Sequence, residues 1–166
     1  MTDTDATSTR GQRFVEALIN LCRQDNAIGA SFRRAASPAL GYQCWMSLAR
    51  LGVDIEKESE RAVFTCVGSA IAKGRVERNG TLSLCRALAN CYPPDSPQPE
   101  AKLRRLLGCT DVSDCCAVLR PIIRLIQSRV PQPFDYAGLA DDLLRFRSNP
   151  DRIRAKWAAD FLRGEK

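Results

Sequence analysis

The side chains best suited to chemistry in this sequence are its cysteines: Cys22, Cys44, Cys66, Cys85, Cys91, Cys109, Cys115 and Cys116. A thiolate can attack an electrophile or ligate zinc, but either use needs partners. Zinc sites take cysteines at C-x2-C spacing or histidines. No two of these cysteines have that spacing, and the chain has no His. The missing His also removes Ser-His and Cys-His nucleophiles and imidazole acid–base catalysis. Most of the cysteines fall on apolar helical positions, where Cys packs as a small hydrophobe. They are expected to be buried, free thiols, because a reducing cytosol disfavours disulfides.

Asp141-Asp142 is the one adjacent carboxylate pair. Neighbours on a helix point about 100° apart, so the pair alone makes no cage for two metal ions. Glycine-rich phosphate loops of the G-x-x-x-x-G-K-[ST] or G-x-G-x-x-G kind are absent. The residues therefore predict no metal, no cofactor and no enzymatic activity.

What remains is basic charge. Lys and Arg number 25 against 19 Asp and Glu, giving a net charge of +6. Arginine dominates, and its guanidinium fork matches phosphate oxygens bidentately. The charge is regional: residues 102–129 carry six bases and two acids, residues 145–166 seven bases and three acids, while acids gather at 54–60. Arg120 and Arg124 stand four apart on a helical face away from Val118, Ile122, Leu125 and Ile126. Arg152 and Lys156 share a face that avoids the Ile153, Trp157, Phe161 stripe. Such a surface suits nucleic-acid phosphates. It is also compatible with an ordinary solvated face, laced by Asp160–Lys156 and Asp141–Arg145 pairs, or with an acidic protein partner docked by a helical adaptor. Patterns for reading bases are missing, so contact to the backbone is the simpler expectation.

The elements that must position these groups read as all-α. Apolar residues recur at helical spacing nearly throughout, predicting eight to nine helices in two subdomains. Residues 1–9 read as a disordered tail without the apolar stretch of a signal peptide, 10–92 as an N-terminal helical subdomain, 93–99 as a Pro-rich linker and 100–166 as a C-terminal helical subdomain. Expected helices include Gly11–Arg23, a short one through Ser31–Ala35, and Ala39–Leu51 with Tyr42, Trp45, Met46 and Leu48 available to the core. Asp54 is expected to cap a helix whose first turn holds Glu56, Glu58 and Glu60, and Thr81 or Ser83 to start another. Pro121 should kink or divide the helix Asp111–Gln127. Asp135 and Asn149-Pro150 mark the last two helix starts. With no long apolar run, a membrane span is not expected, and the chain reads as cytoplasmic.

Several strings, in order, resemble one family. They are Ser31-Phe32-Arg33-Arg34-Ala35, Ser83-Leu84-Cys85-Arg86-Ala87-Leu88-Ala89, Leu103-Arg104-Arg105-Leu106-Leu107, Leu119-Arg120-Pro121-Ile122-Ile123, the run from Phe134 to Leu143, and Trp157-Ala158-Ala159-Asp160-Phe161. Together, over about residues 10–163, they resemble CasB, the small subunit of the type I-E CRISPR interference complex (Cascade). Cys85 departs from the pattern, standing where a small residue, often Gly, is usual, and so does the high cysteine content.

The resemblance implies an all-α, non-catalytic subunit of antiviral defence with two helical halves. It implies two copies set head to tail against the backbone subunits that carry guide RNA, beside the large subunit, with cleavage left to a recruited helicase-nuclease. It implies a basic surface that holds target DNA and the displaced strand of the R-loop, sequence being read by base pairing. By the matched strings the nucleic-acid-binding candidates are Arg33, Arg34, Arg86, Arg105 and Arg120; helix geometry adds Arg124, Arg152 and Lys156. Arg104 could serve as a contact or in a salt bridge.

Overall fold

The computed structural model describes residues 7–164. It contains α1 (Arg10–Gln24), α2 (Asn26–Arg34), a 3-10 helix (Pro38–Cys44), α3 (Trp45–Arg50), α4 (Glu58–Lys73), α5 (Leu84–Ala89), α6 (Gln98–Leu107), α7 (Val112–Arg129), α8 (Tyr136–Phe146) and α9 (Pro150–Gly164). The chain is all-α, as the apolar period predicts. Of the expected tail over 1–9, residues 1–6 lie outside the described residues, and Thr9 has a defined task.

That task is capping. A helix start leaves backbone N–H groups without partners. The Thr9 hydroxyl accepts from Gln12 N at 3.1 Å while the Thr9 N–H donates to Gln12 Oε1 at 2.9 Å, a reciprocal capping box. Asp141, from α8, accepts a third orphan donor, Gly11 N, at 2.9 Å. Ser83, Asp111 and Asp135 cap α5, α7 and α8 through Arg86 N, Asp114 N and Gly138 N. Each cap contributes about 1 kcal/mol. Ser83 rather than Thr81 is thus the start of α5, and Asp135 has its expected role.

Three local expectations are corrected. The stretch 39–51 is not one helix: Pro38 opens a 3-10 helix that turns α-helical only at Trp45. The changed period leaves Tyr42 exposed, at 57%, while Met46, within α3 and two residues from the buried Leu48, takes the opposite face and is 71% exposed. Asp54 does not cap α4, which starts at Glu58 behind Lys57. Its carboxylate instead accepts from Glu56 N in a turn, so Glu56 lies outside the helix. Of the two outcomes expected of Pro121, division does not occur: α7 runs on to Arg129. The apolar residues Leu119, Ile122, Ile123 and Ile126 are all buried on one side of that segment, and their burial offsets the lost backbone bond.

One apolar cluster joins the helices on both sides of the Pro-rich segment. α4 packs on α7 and α8, α1 on α8, and α5 on α9. Ile153, Trp157 and Phe161 form the buried stripe of α9, and Trp157 stacks on Phe146 with ring centroids 5.9 Å apart. Fully burying side chains of this size stabilises by about 1.5–3 kcal/mol each.

The segment after α4 is tied to the one before α8. Gly80 N donates to Phe134 O at 3.1 Å, and Asp135 N to Leu82 O at 2.7 Å. Asn79 bridges them, donating to Asp135 Oδ1 at 2.8 Å and accepting from Ala137 N at 3.2 Å. The approach is too close for a side chain: a Cβ at Gly80 would stand 1.8 Å from the Pro133 carbonyl oxygen.

Candidate nucleic-acid interface

Arg120 and Arg124 of α7 show how packing sorts the basic charge. Arg120 stands one turn after Cys116 on α7 and faces Cys66 of α4. Its Nε is the one buried side-chain nitrogen or oxygen without a hydrogen-bond partner among the described residues. Cys116 donates its thiol proton to the Ala62 carbonyl of α4 at 3.7 Å and lies beside Cys66. The neighbouring Cys116 thiol, helped against desolvation by the Arg120 charge, holds the Cys66 thiol below its ordinary value. The Cys66 thiol and then burial push Cys116 well up. Arg124, one turn on, is exposed. Arg120 and Arg124 line a small hollow with Lys73 from the end of α4, and no carboxylate borders it. Lys73 lies outside the strings and helical faces that the sequence singles out. The signal lay in the run Lys73-Gly74-Arg75-Val76-Glu77-Arg78, whose three bases follow the last apolar residue of α4.

Arg33 and Arg34 close α2. Arg33 is half-buried beside Gly29 and Cys22, and the Arg34 guanidinium donates to Gln43 Oε1. Ala36, two residues beyond Arg34, borders the hollow of Arg120 and Arg124, so the end of α2 adjoins that basic region.

Arg86 is exposed on α5, which packs on α9, where Lys156 and Arg152 lie. Lys156 is not free: its ammonium meets Asp142 Oδ1 at 2.6 Å, while Trp157 Nε1 donates to the other oxygen at 3.1 Å. Arg105, on α6, and Arg152 are exposed. Among the described residues, Arg33, Arg34, Arg86, Arg105, Arg120, Arg124 and Arg152 have no acidic partner within salt-bridge distance. The structure brings Arg120 and Arg124 together with Lys73, sets Arg86 and Lys156 on packed helices, and places Arg105 and Arg152 separately on the surface.

Other arginines are committed to the fold. Arg104 forms an exposed ion pair with Glu100, one turn before it, at 2.6 Å. Arg154 donates to the carbonyls of Leu107, the last residue of α6, and of Cys109 just beyond it. Arg10 grips Glu60 through two bonds of 2.7 and 2.6 Å. The two surface pairs expected from spacing do not form. Asp160 takes Arg163, and Asp141 is turned to the Gly11 N–H.

The two adjacent aspartates therefore serve opposite sides, Asp141 the start of α1 and Asp142 the interior of α8 and α9. Among the described residues no three His, Cys, Asp or Glu side chains gather as metal ligands. All eight cysteines are free, seven buried and Cys22 half-buried. Burial pushes the Cys85 thiol far up and Cys115 to about 12.

Such a fold and site define a class: a small all-helical protein that spends carboxylates on helix caps and ion pairs and presents unpaired arginines to its surroundings. Within that class the chain belongs to the Cse2 family of CRISPR-associated proteins, whose family model matches residues 29–162. It is similar to the crystal structure of CasB from Thermus thermophilus, at 27% identity and a TM-score of 0.73, covering 93% of this chain and 98% of that one. The fold is also that of M. ruber CasB, at 22% identity and TM-score 0.71 over 95% and 94% of the chains. A chain of a "CRISPR RNA-guided surveillance complex" shares it too, at 20% identity and TM-score 0.72 over 93% and 92%. No curated protein sequence matches the chain. No helix among the described residues is long and apolar enough to cross a membrane.

Proposed function

We propose that this chain is the non-catalytic small subunit of a type I-E CRISPR surveillance complex, and that it grips nucleic-acid backbone without reading sequence. In this role it stabilises target DNA and the displaced strand of the R-loop, next to guide RNA, the backbone and large subunits and a second copy of itself. One observation carries the reading: seven arginines at candidate positions have no acidic partner among the described residues, although the protein has acids to spend. An unpaired guanidinium on a rigid helix retains its donors for phosphate oxygens. The exposed Tyr42 and Met46 offer apolar surface suited to a neighbouring subunit.

The test is the salt dependence of binding to labelled single-stranded and duplex DNA. Affinity is expected to fall linearly in log–log form, with a slope set by the phosphates neutralised. Absence of binding at low salt, in a folded chain that still joins the complex, would replace this reading with that of a protein–protein adaptor.

A further inference from the structure

Helix α4 ends in a motif that normally requires glycine. Val76 N donates to Ile71 O at 3.0 Å and Arg75 N to Ala72 O at 3.3 Å. This pair of bonds puts the residue after the C-cap into the left-handed region. α3 ends with the same two bonds, Val53 N to Leu48 O and Gly52 N to Ala49 O, and there the left-handed residue is Gly52, at φ 85°. In α4 it is Arg75, at φ 51°, the one non-glycine residue with positive φ among the described residues. A Cβ in that region crowds the backbone. For the fold alone, arginine is the worse choice at this position, and strain of this kind persists where a side chain has a task.

The surroundings point to that task. The turn lies against Gln127: a Cβ on Gly74 would come within 2.4 Å of its Nε2. Gln127 is itself fixed, donating to Ala70 O at 2.9 Å and to the Tyr136 hydroxyl at 2.8 Å. It borders two hollows. One holds Lys73, Arg120 and Arg124 and no carboxylate. The other, about 330 Å³, holds Arg75 and Arg78, with Glu77 as its one acid. Arg23 reaches the same turn from α1 and donates to the Glu77 carbonyl. Bases thus surround Gln127 from α4, the turn and α7, and one of them, Arg120, leaves its Nε without a partner.

We propose that Lys73, Arg75 and Arg78 form a further contact for nucleic-acid phosphate, continuous with Arg120 and Arg124 around Gln127. The proposal rests on the nucleic-acid reading above and adds to it a turn outside the matched strings. The C-terminal dipole of α4 also favours cations here, but that benefit is the same with or without ligand.

Arg75→Gly and Arg75→Asn separate the two roles, since both residues accept positive φ and neither carries the charge. In the full chain, both variants are expected to keep or raise the melting temperature. Both should bind labelled single strand and duplex several-fold more weakly, irrespective of sequence, with a log–log salt slope smaller by about 1. Inorganic phosphate at matched ionic strength should compete weakly and equally in all forms. Unchanged affinity and slope in variants of a wild type that binds DNA would overturn the proposal and leave the functional reading standing, as would a lowered melting temperature with unchanged binding. Strong competition by phosphate, lost in Arg75→Gly, would make this a free-anion site and also overturn it. A wild type that binds no nucleic acid would remove both.

Discussion

Lys156 is the exposed half of an ion pair whose other half, Asp142, is buried, with 2.6 Å between ammonium and carboxylate. Burial raises the Asp142 carboxyl, against the opposing pull of Lys156 and Trp157. Lys156→Ala would leave that carboxylate with Trp157 alone. Since Lys156 is about half exposed, the expected loss is moderated to about 1–3 kcal/mol, read as a lower urea midpoint. A raised carboxyl holds its proton more tightly in the folded state. Its contribution to stability is therefore full below the ordinary carboxylate range and declines as pH rises through the raised value. The variant should accordingly lose less stability in acid than at neutrality. A loss independent of pH would argue against the pair.

Arg86→Ala combined with Arg120→Ala is expected to weaken binding about equally for all DNA sequences and to lower the salt slope by about 2. Arg86 is exposed, and Arg120 leaves a buried donor unpaired, so the fold should tolerate the change. Titrations of unrelated oligonucleotides at several salt concentrations provide the check. A loss confined to one sequence would contradict a grip on the backbone.

The Arg10–Glu60 pair predicts part of the acid lability. The Arg10 hydrogen bonds hold the Glu60 carboxyl below its ordinary value, despite burial, and Asp54 N adds a bond of 3.1 Å. A lowered carboxyl contributes stability above its unfolded-state value and loses it as pH falls through the folded one. Glu60→Gln should cost about 1 kcal/mol at neutral pH and nothing in strong acid. Melting curves of both proteins should converge as pH falls.

Thiol reactivity should follow burial. With a thiol-exchange reagent at neutral pH, the folded protein is expected to react slowly, Cys22 first, and the unfolded chain with all eight cysteines. Cys66 is held low but is only 1% exposed, so access governs its rate. A fast thiol other than Cys22 in the folded protein would show that α4 and α7 separate readily.

Helix starts were legible where a capping residue stood before an apolar period, as at Ser83 and Asp135. They were misplaced where a local turn competed. Asp54 has the chemistry of a cap, yet its carboxylate accepts from Glu56 N two residues on, closing a turn, and α4 begins later, at Glu58. Tyr42 reads as core because a 3-10 helix shifts side chains off the α period.

Of the functional surface, the sequence by itself determined the class. The absence of His, the arginine-rich helices and the ordered strings implied a non-catalytic basic subunit before any packing was known. Only the tertiary structure decided which cations remain available. Lys156 lies on the expected face, but Asp142 approaches from α8 and occupies it. Arg120 stays unpaired because α4 presents the Cys66 thiol beside it, not a carboxylate. Arg75 becomes notable only through its backbone angle. The physical reason is common to all three: helical periodicity says which face a residue takes, whereas its charge partner comes from another part of the chain and exists only once the helices pack.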